Sequence, residues 1–266
     1  MAKLRSNHSR QDSGKSSGMI VRVGLFAAIL GGLFVAFNQF TGNGLPSGGE
    51  ESERDLTEAA AETDYYLPAS SNGQIIRRKH YTLSYSEEHE QAEWVAYLLT
   101  REQLEQPWVD REDDFREDPA VTTASATLED YRGSGYDRGH LVPVADRSFS
   151  REAMLETFYL SNISPQARNF NGGIWRELEE LTRSWAKKND QLFVVCGPVL
   201  SREPKGRIGE NEVSVPVGYF KVLLDVSDPD YKGIGFVIPN QVSYDPLFDF
   251  AMSIDAVEEL TGFDFC

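Results

Sequence analysis

The chain has 266 residues, an apolar fraction of 40% and 15 phenylalanines, enough to bury one domain of ordinary to large size with extensions. Its formal net charge of −16 makes the average surface repel nucleic acid, membranes and acidic partners. Two cysteines, Cys196 and Cys266, exclude a disulfide scaffold and a thiolate zinc site, and a single bridge between them stays open.

The first eighteen residues are polar, basic and serine-rich. Val23–Phe37 then carries no charge, and Met19–Phe40 reaches the roughly 20 positions a membrane span needs if Arg22 snorkels. Gly24, Gly31 and Gly32, with no polar face, argue against a buried globular helix. NQFTGNG follows in place of a small-x-small cleavage pattern, so residues 19–40 are expected to be an uncleaved transmembrane signal anchor. The positive-inside bias puts residues 1–18 inside and the rest of the chain on the extracytoplasmic side. A mitochondrial presequence and a cleaved secretion signal remain the alternatives. Residues 41–64 read as a flexible acidic tether, and residues 65–266 as the folded domain.

Charge is spread unevenly along the rest. Residues 41–130 hold 7 basic and 21 acidic residues, residues 188–266 hold 6 and 13, and residues 131–187 hold 8 and 7. The last of these stretches is the least repulsive to a polyanion. HYTLSYS (80–86) and AEWVAYLLT (92–100) predict strands, and 101–130 predicts loop. TFYLSNIS (157–164) predicts a short buried strand, and NGGIWRELEELTRSWAKK (171–188) an amphipathic helix. Strands follow at 192–200, 215–226 and 233–240, then a terminal helix at 253–263 capped by Ser253 and ended at Gly262. The balance is α+β, with a central, mainly antiparallel sheet.

The chemistry concentrates around YRGSGYDRGHLVPVADRS (131–148), where Asp137, Arg138 and His140 stand among glycines. Asn162 follows in SNIS, and Asn171, Glu179 and Arg183 share the amphipathic helix or its start. Taken singly, each has an ordinary explanation. His140 could be a core histidine, Asn171 a helix cap contributing about 1 kcal/mol, and Glu179 with Arg183 a surface pair contributing roughly 0.3–0.5 kcal/mol. Together they suit phosphodiester hydrolysis. Imidazole can activate water at neutral pH, arginine donates bidentately to phosphate, and an amide oxygen with a nearby carboxylate can hold a hydrated magnesium.

YDRGHLVPVAD, TFYLSNISPQ and NGGIWRELE, in this order and spacing, resemble the DNA/RNA non-specific endonucleases, a ββα-metal (His-Me finger) family. The likeness runs from about Tyr81 to Phe265, and FREDPAV and YRGSGYDRGH lie nearer its endonuclease G branch than its secreted one. The resemblance implies His140 as the general base and Asn171 as the one direct protein ligand of a hydrated Mg2+, for which Mn2+ can substitute. It implies Glu179 as the acid orienting metal-bound water, and Asn162 as a neighbour positioning the water network. Arg138 and Arg183 would contact the phosphate, with Arg111 as a further substrate contact. The substrates implied are DNA and RNA, cut to 5′-phosphate ends; a homodimer and an inhibitor protein stay open as partners. A zinc hydrolase is disfavoured because no H-E-x-x-H occurs. The rival of a different class is a membrane-tethered, non-catalytic DNA-binding or uptake protein on the same scaffold, which would lose the base or the metal ligand.

Overall fold

The computed structural model describes residues 67–265 except 70, 201–203 and 226–230, so the expected tail, anchor and tether, and Cys266, lie outside the described residues. Among the described residues, no helix is long and apolar enough to cross a membrane.

A seven-stranded antiparallel sheet runs in the order β1 (Gln74–Arg77), β2 (Thr82–Ser86), β3 (Gln91–Thr100), β6 (Gln191–Val199), β9 (Gly218–Asp225), β10 (Lys232–Pro239), β11 (Ala251–Met252). Its central strands are apolar on both faces, which is why they read as continuous runs rather than as alternation. β3 sends Val95, Tyr97 and Leu99 to one core and Trp94 and Ala96 to the other. β6 divides Val194 and Cys196 from Phe193 and Val195 in the same way, and β9 divides Tyr219 and Leu223 from Phe220 and Val222. On the first face lies the helix α4 (Arg176–Lys188), seated through Leu178 with Trp175 just before it. On the second lies α5 (Ile254–Thr261), seated through Val257. Its Ser253 cap and its left-handed Gly262 end (φ 77°) are those read from the sequence. The architecture is α+β with a central antiparallel sheet, as expected.

Three segments differ from the sequence reading. The polar stretch 101–130 is not all loop. It holds α1 (Arg101–Glu105), which opens with a Thr100–Gln103 capping box, and α2 (Leu128–Tyr131), where the Asp130 carboxylate accepts from the Thr127 N–H at 2.7 Å. TFYLSNIS is not a strand throughout. Leu160–Asn162 is a 3-10 turn and β5 begins only at Ile163, because the Asn162 side chain bonds nearby backbone groups instead of leaving them to a ladder. The helix expected from 171 begins as a wide turn, Phe170–Trp175, kinked at Gly173, before the regular α4.

The site is positioned by a smaller unit. β4 (Asp137–His140) pairs antiparallel with β5 (Ile163–Gln166), setting His140 opposite Ile163, and the chain then turns through Phe170–Trp175 into α4. This is the expected ββα arrangement. The helix α3 (Arg151–Glu156), capped by Ser150, lies in the connection between the two strands. At Gly139 a Cβ would fall 2.1 Å from the buried Gln166 side chain, so a larger residue there would have to displace that side chain. The tight turning before the motif belongs to Gly133 and Gly135, at φ 68° and 84°.

Candidate active site

β4, the Phe170–Trp175 turn and α4 together wall a cleft of about 450 Å3. Arg111, Arg138, His140, Asn171, Glu179 and Arg183 all line it. Six of the seven residues to which the resemblance gives a role therefore meet in one place.

His140 ends β4 with its ring held between Phe115, at 5.3 Å between centroids, and Phe158, edge-on at 5.1 Å. Its Nε2 is buried and has no hydrogen-bond partner among the described residues, so it is not a satisfied core histidine. Burial first, then the Arg111 and Arg138 guanidinium groups, push the imidazole down to about 3, with Asp113 opposing. The ring is neutral at neutral pH and can accept a proton.

The arginines are mounted differently. Arg138 stacks over Phe115 at 4.2 Å, and Arg111 lies over Phe158 at 5.4 Å while pairing with Asp113 at 2.6 Å on the exposed rim. Arg183 does not form the ordinary surface pair with Glu179 that spacing alone would allow. Its Nη1 donates to Asp146 Oδ1 at 2.9 Å, and Asp146, 1% exposed, also accepts from the Tyr97 hydroxyl at 2.8 Å. Asp146 was not read as functional, although it stands inside the quoted motif; nothing in the sequence marked it as the seat of Arg183.

Asn171 is not a helix cap. It lies inside the wide turn with its N–H donating to the Ala167 carbonyl at 2.9 Å, and its Nδ2 donates to Asp137 Oδ2 at 3.3 Å. That leaves Oδ1 available to the cleft and brings in Asp137, the neighbour of Arg138. Glu179 is half-buried. Burial pushes its carboxyl up to about 7 despite the opposing charges of Lys221 and Arg183, with Asp146 and Glu180 adding to the rise. Lys221 is fully buried on the same sheet face, opposite Cys196 in the β6–β9 register, with Nζ 5.0 Å from the Trp175 ring centroid and no hydrogen-bond acceptor among the described residues. Trp175 and Glu179 are one helical turn apart, so this lysine sits behind the acid. A lone charge inside the apolar run VGYFKVLL was the signal that could have found it.

Asn162 is the exception. It is fully buried and does not line the cleft. Its Oδ1 accepts from the Val142 N–H at 2.9 Å, and its Nδ2 donates to the Val142 and Thr157 carbonyls at 3.2 and 2.9 Å. With its own carbonyl accepting from the Leu141 N–H at 3.0 Å, it fixes the chain just after His140. These bonds occupy its side chain with backbone rather than with a water network.

The donor chemistry fits a hydrated hard cation. Asn171 Oδ1 and the Glu179 carboxylate are oxygen donors on the same cleft, and the described residues contain no group of three His, Cys, Asp or Glu side chains that could cage an ion. An ion held here would keep most of its water, as magnesium does.

The same stretch of chain finds relatives. The DNA/RNA non-specific endonuclease family matches over residues 60–266. Human mitochondrial endonuclease G is 37% identical over 211 residues, covering 74% of this chain and 70% of its own. Nuclease C1 of Cunninghamella echinulata var. echinulata is 37% identical over 207 residues, covering 72% and 82%. A chain in the crystal structure of the EndoG/EndoGI complex superposes with a TM-score of 0.72 at 29% identity, over 81% of this chain and 93% of that one. A non-catalytic binding protein is thereby set aside: the chain belongs to the DNA/RNA non-specific endonuclease family and is a nuclease.

Proposed function

We propose that this nuclease hydrolyses internal phosphodiester bonds of both DNA and RNA, leaving 5′-phosphate ends, with His140 as general base. The observation that carries the reading is the neutral His140, its Nε2 unpartnered, on one cleft with three arginines, Asn171 and Glu179. The His140 imidazole takes a proton from water as the water oxygen bonds to phosphorus, the bond to the 3′ oxygen breaks, and the departing oxygen takes a proton from solvent water, leaving a 3′-hydroxyl and a 5′-phosphate. Arg138 and Arg183 donate to the non-bridging oxygens, Arg183 from a fixed seat on Asp146. Burial is the main cause that holds His140 down, and an anionic phosphate offsets the smaller part due to the Arg111 and Arg138 guanidinium groups, so the base strengthens as substrate enters. A divalent cation, Mg2+ or Mn2+, held by Asn171 would supply Lewis acidity at the leaving oxygen, and Glu179 would orient water around it. Digestion of plasmid DNA and of RNA by the full chain, with and without EDTA, tests this. EDTA should abolish cleavage, and His140→Ala should lower it by about 10²–10⁴-fold. Undiminished cutting in EDTA, or His140→Ala keeping more than about a tenth of the rate, overturns the mechanism.

We infer an extracytoplasmic placement, tethered through residues 19–40 and the 41–64 segment. Support comes from the basic start, the uncharged Val23–Phe37 and the acidic stretch after it. The mitochondrial names of the endonuclease G and EXOG relatives favour a mitochondrion as the compartment, where this orientation would put the domain in the intermembrane space. Protease added to mitoplasts or spheroplasts should remove the domain and spare an N-terminal tag; protection of the domain overturns the orientation. The superposed structure is a complex with EndoGI, which supports an inhibitor protein as a partner here too.

A further inference from the structure

A second hollow of about 730 Å3 adjoins the cleft, and Gly172, Arg176 and Glu180 line both. Its outer wall is the loop around Val242–Asp245. There the Ser243 hydroxyl accepts from the Asp245 N–H at 3.1 Å and donates to Asp245 Oδ2 at 3.2 Å. The residue at the apex, Tyr244, is 94% exposed and has no ring partner among the described residues.

This wall is fixed relative to the site. At the root of the loop, Asn240 is 3% exposed; its Oδ1 accepts from the Ala167 N–H at 2.8 Å and its Nδ2 donates to the Pro165 and Pro216 carbonyls at 3.0 and 3.2 Å. Ala167 also accepts the Asn171 N–H, so one clamp ties the loop to the turn that carries Asn171. The floor between them is bare. A Cβ at Gly172 would meet nothing within 4 Å, so internal packing does not demand the glycine, and the backbone lies open to a flat ligand.

Charge separates the two hollows. The first brings Arg111, Arg138 and Arg183 against Glu179, and suits a phosphate. The second has Glu177, Glu180 and Asp245 against Arg168 and Arg176, and both arginines already have partners, Asp137 at 3.3 Å and Glu180 at 3.1 Å. A second phosphate would be repelled there, whereas a neutral ring with a polar edge would not. A projecting phenol beside a bare floor is a stacking platform for such a ring.

We propose that the second hollow is a nucleobase subsite, in which the nucleotide next to the scissile phosphate stacks its base on Tyr244. A base within a duplex has both faces covered, so the subsite takes an unpaired base and favours single-stranded or frayed substrate. The inference rests on the cleft binding the scissile phosphate, as proposed above.

The test compares the full-length chain with Tyr244→Ala and Tyr244→Trp on three substrates: a single-stranded 12-mer, its blunt duplex, and an abasic 12-mer, which has the phosphodiesters but no ring to stack. Tyr244 is so exposed that neither change threatens folding. In Tyr244→Ala, the ratio of kcat/KM for the single strand to that for the abasic strand should fall roughly tenfold, through KM; Tyr244→Trp should hold it. The corresponding duplex ratio should move by less than about a third of that. A single-strand ratio unchanged within about twofold, or an equal fall on the duplex, overturns the proposal. Anisotropy of a labelled single strand in EDTA reads the subsite without cleavage. Equal affinity of wild type and Tyr244→Ala there removes the subsite, whereas weakened binding in a protein that cleaves none of the substrates removes the catalytic reading and keeps the subsite.

Discussion

Removing the Asp146 carboxylate should unseat Arg183 and cost stability and activity together. Asp146 is 1% exposed and accepts two hydrogen bonds, from Arg183 Nη1 at 2.9 Å and from the Tyr97 hydroxyl at 2.8 Å. The Arg183 side chain is itself only 16% exposed, so Asp146→Ala leaves a mostly buried guanidinium without its counter-charge and a buried phenol without an acceptor. The charged bond is worth about 1.5–3 kcal/mol and an orphaned buried hydroxyl about 1–3 kcal/mol. The expected loss is about 3–5 kcal/mol, the range for breaking a buried ion pair from one side. Urea unfolding monitored by tryptophan fluorescence measures it. Glu152→Ala provides the control, because the Lys79–Glu152 pair is 47% and 60% exposed and should cost no more than about 1 kcal/mol. The double variant Asp146→Ala/Arg183→Met should recover part of the stability and none of the activity. If Asp146→Ala costs less than about 1 kcal/mol, or keeps full kcat/KM, Asp146 does not hold Arg183 in place and the assignment fails.

Three further outcomes follow from the same geometry. The folded His140 imidazole titrates at about 3 against an ordinary 6.5, so the unfolded chain binds its proton first as pH falls. Stability contributed by this group is present above the ordinary value and lost below it, by about 1.4 kcal/mol per pH unit, and His140→Gln should flatten the denaturation midpoint against pH by that slope. Asn171→Ala should raise the magnesium needed for half-maximal rate, with excess metal partly restoring activity. It should leave the melting temperature within a few degrees, since Asn171 caps nothing; a metal-independent defect removes it as a ligand. Lys221→Met should lower activity most on the acid side, because Glu179 loses the nearest opposing charge and its carboxyl rises above about 7, while stability holds or increases. An unchanged pH–rate profile would detach Lys221 from the site.

What could be read from the sequence divides along physical lines. His140, Arg138, Asn171, Glu179 and Arg183 were legible as one cluster because the motif blocks that carry them fold around one cleft, and the long strands because both faces of the sheet are covered. α1 and α2 were missed because they are short, polar and held by their caps rather than by an apolar stripe. Asn162 shows the opposite failure. Its place in the motif was legible, but a buried asparagine bonding Val142 and Thr157 looks the same in sequence as one bonding water. Asp146 and Lys221 reach the site across the fold, from a 3-10 turn and the centre of β9; the lone Lys221 among apolar residues marks it as unusual, but no local pattern records what either residue touches. The Tyr244 loop is likewise joined to the site across the fold, through Asn240 and its bond from Ala167.

The acidity of the chain is the remaining tension in a protein that must attract a polyanion. Much of the acid in 101–118 is already paired: Asp113 with Arg111, Asp114 with Arg116, Glu112 with Arg151 and Asp118 with Arg78. The rim pairs are exposed, 54% and 64% for Arg111 with Asp113, so each is worth no more than about 1 kcal/mol and can be exchanged for a phosphate at little cost. Arg183 differs, because its partner is buried and stays in place when substrate arrives. The cleft therefore combines one fixed arginine that sets geometry with rim arginines whose acidic partners yield to substrate. On this account the negative surface lowers encounter rates and weakens binding at low salt, while the field at the scissile phosphate is set by Arg138, Arg183 and the neutral His140 beside them.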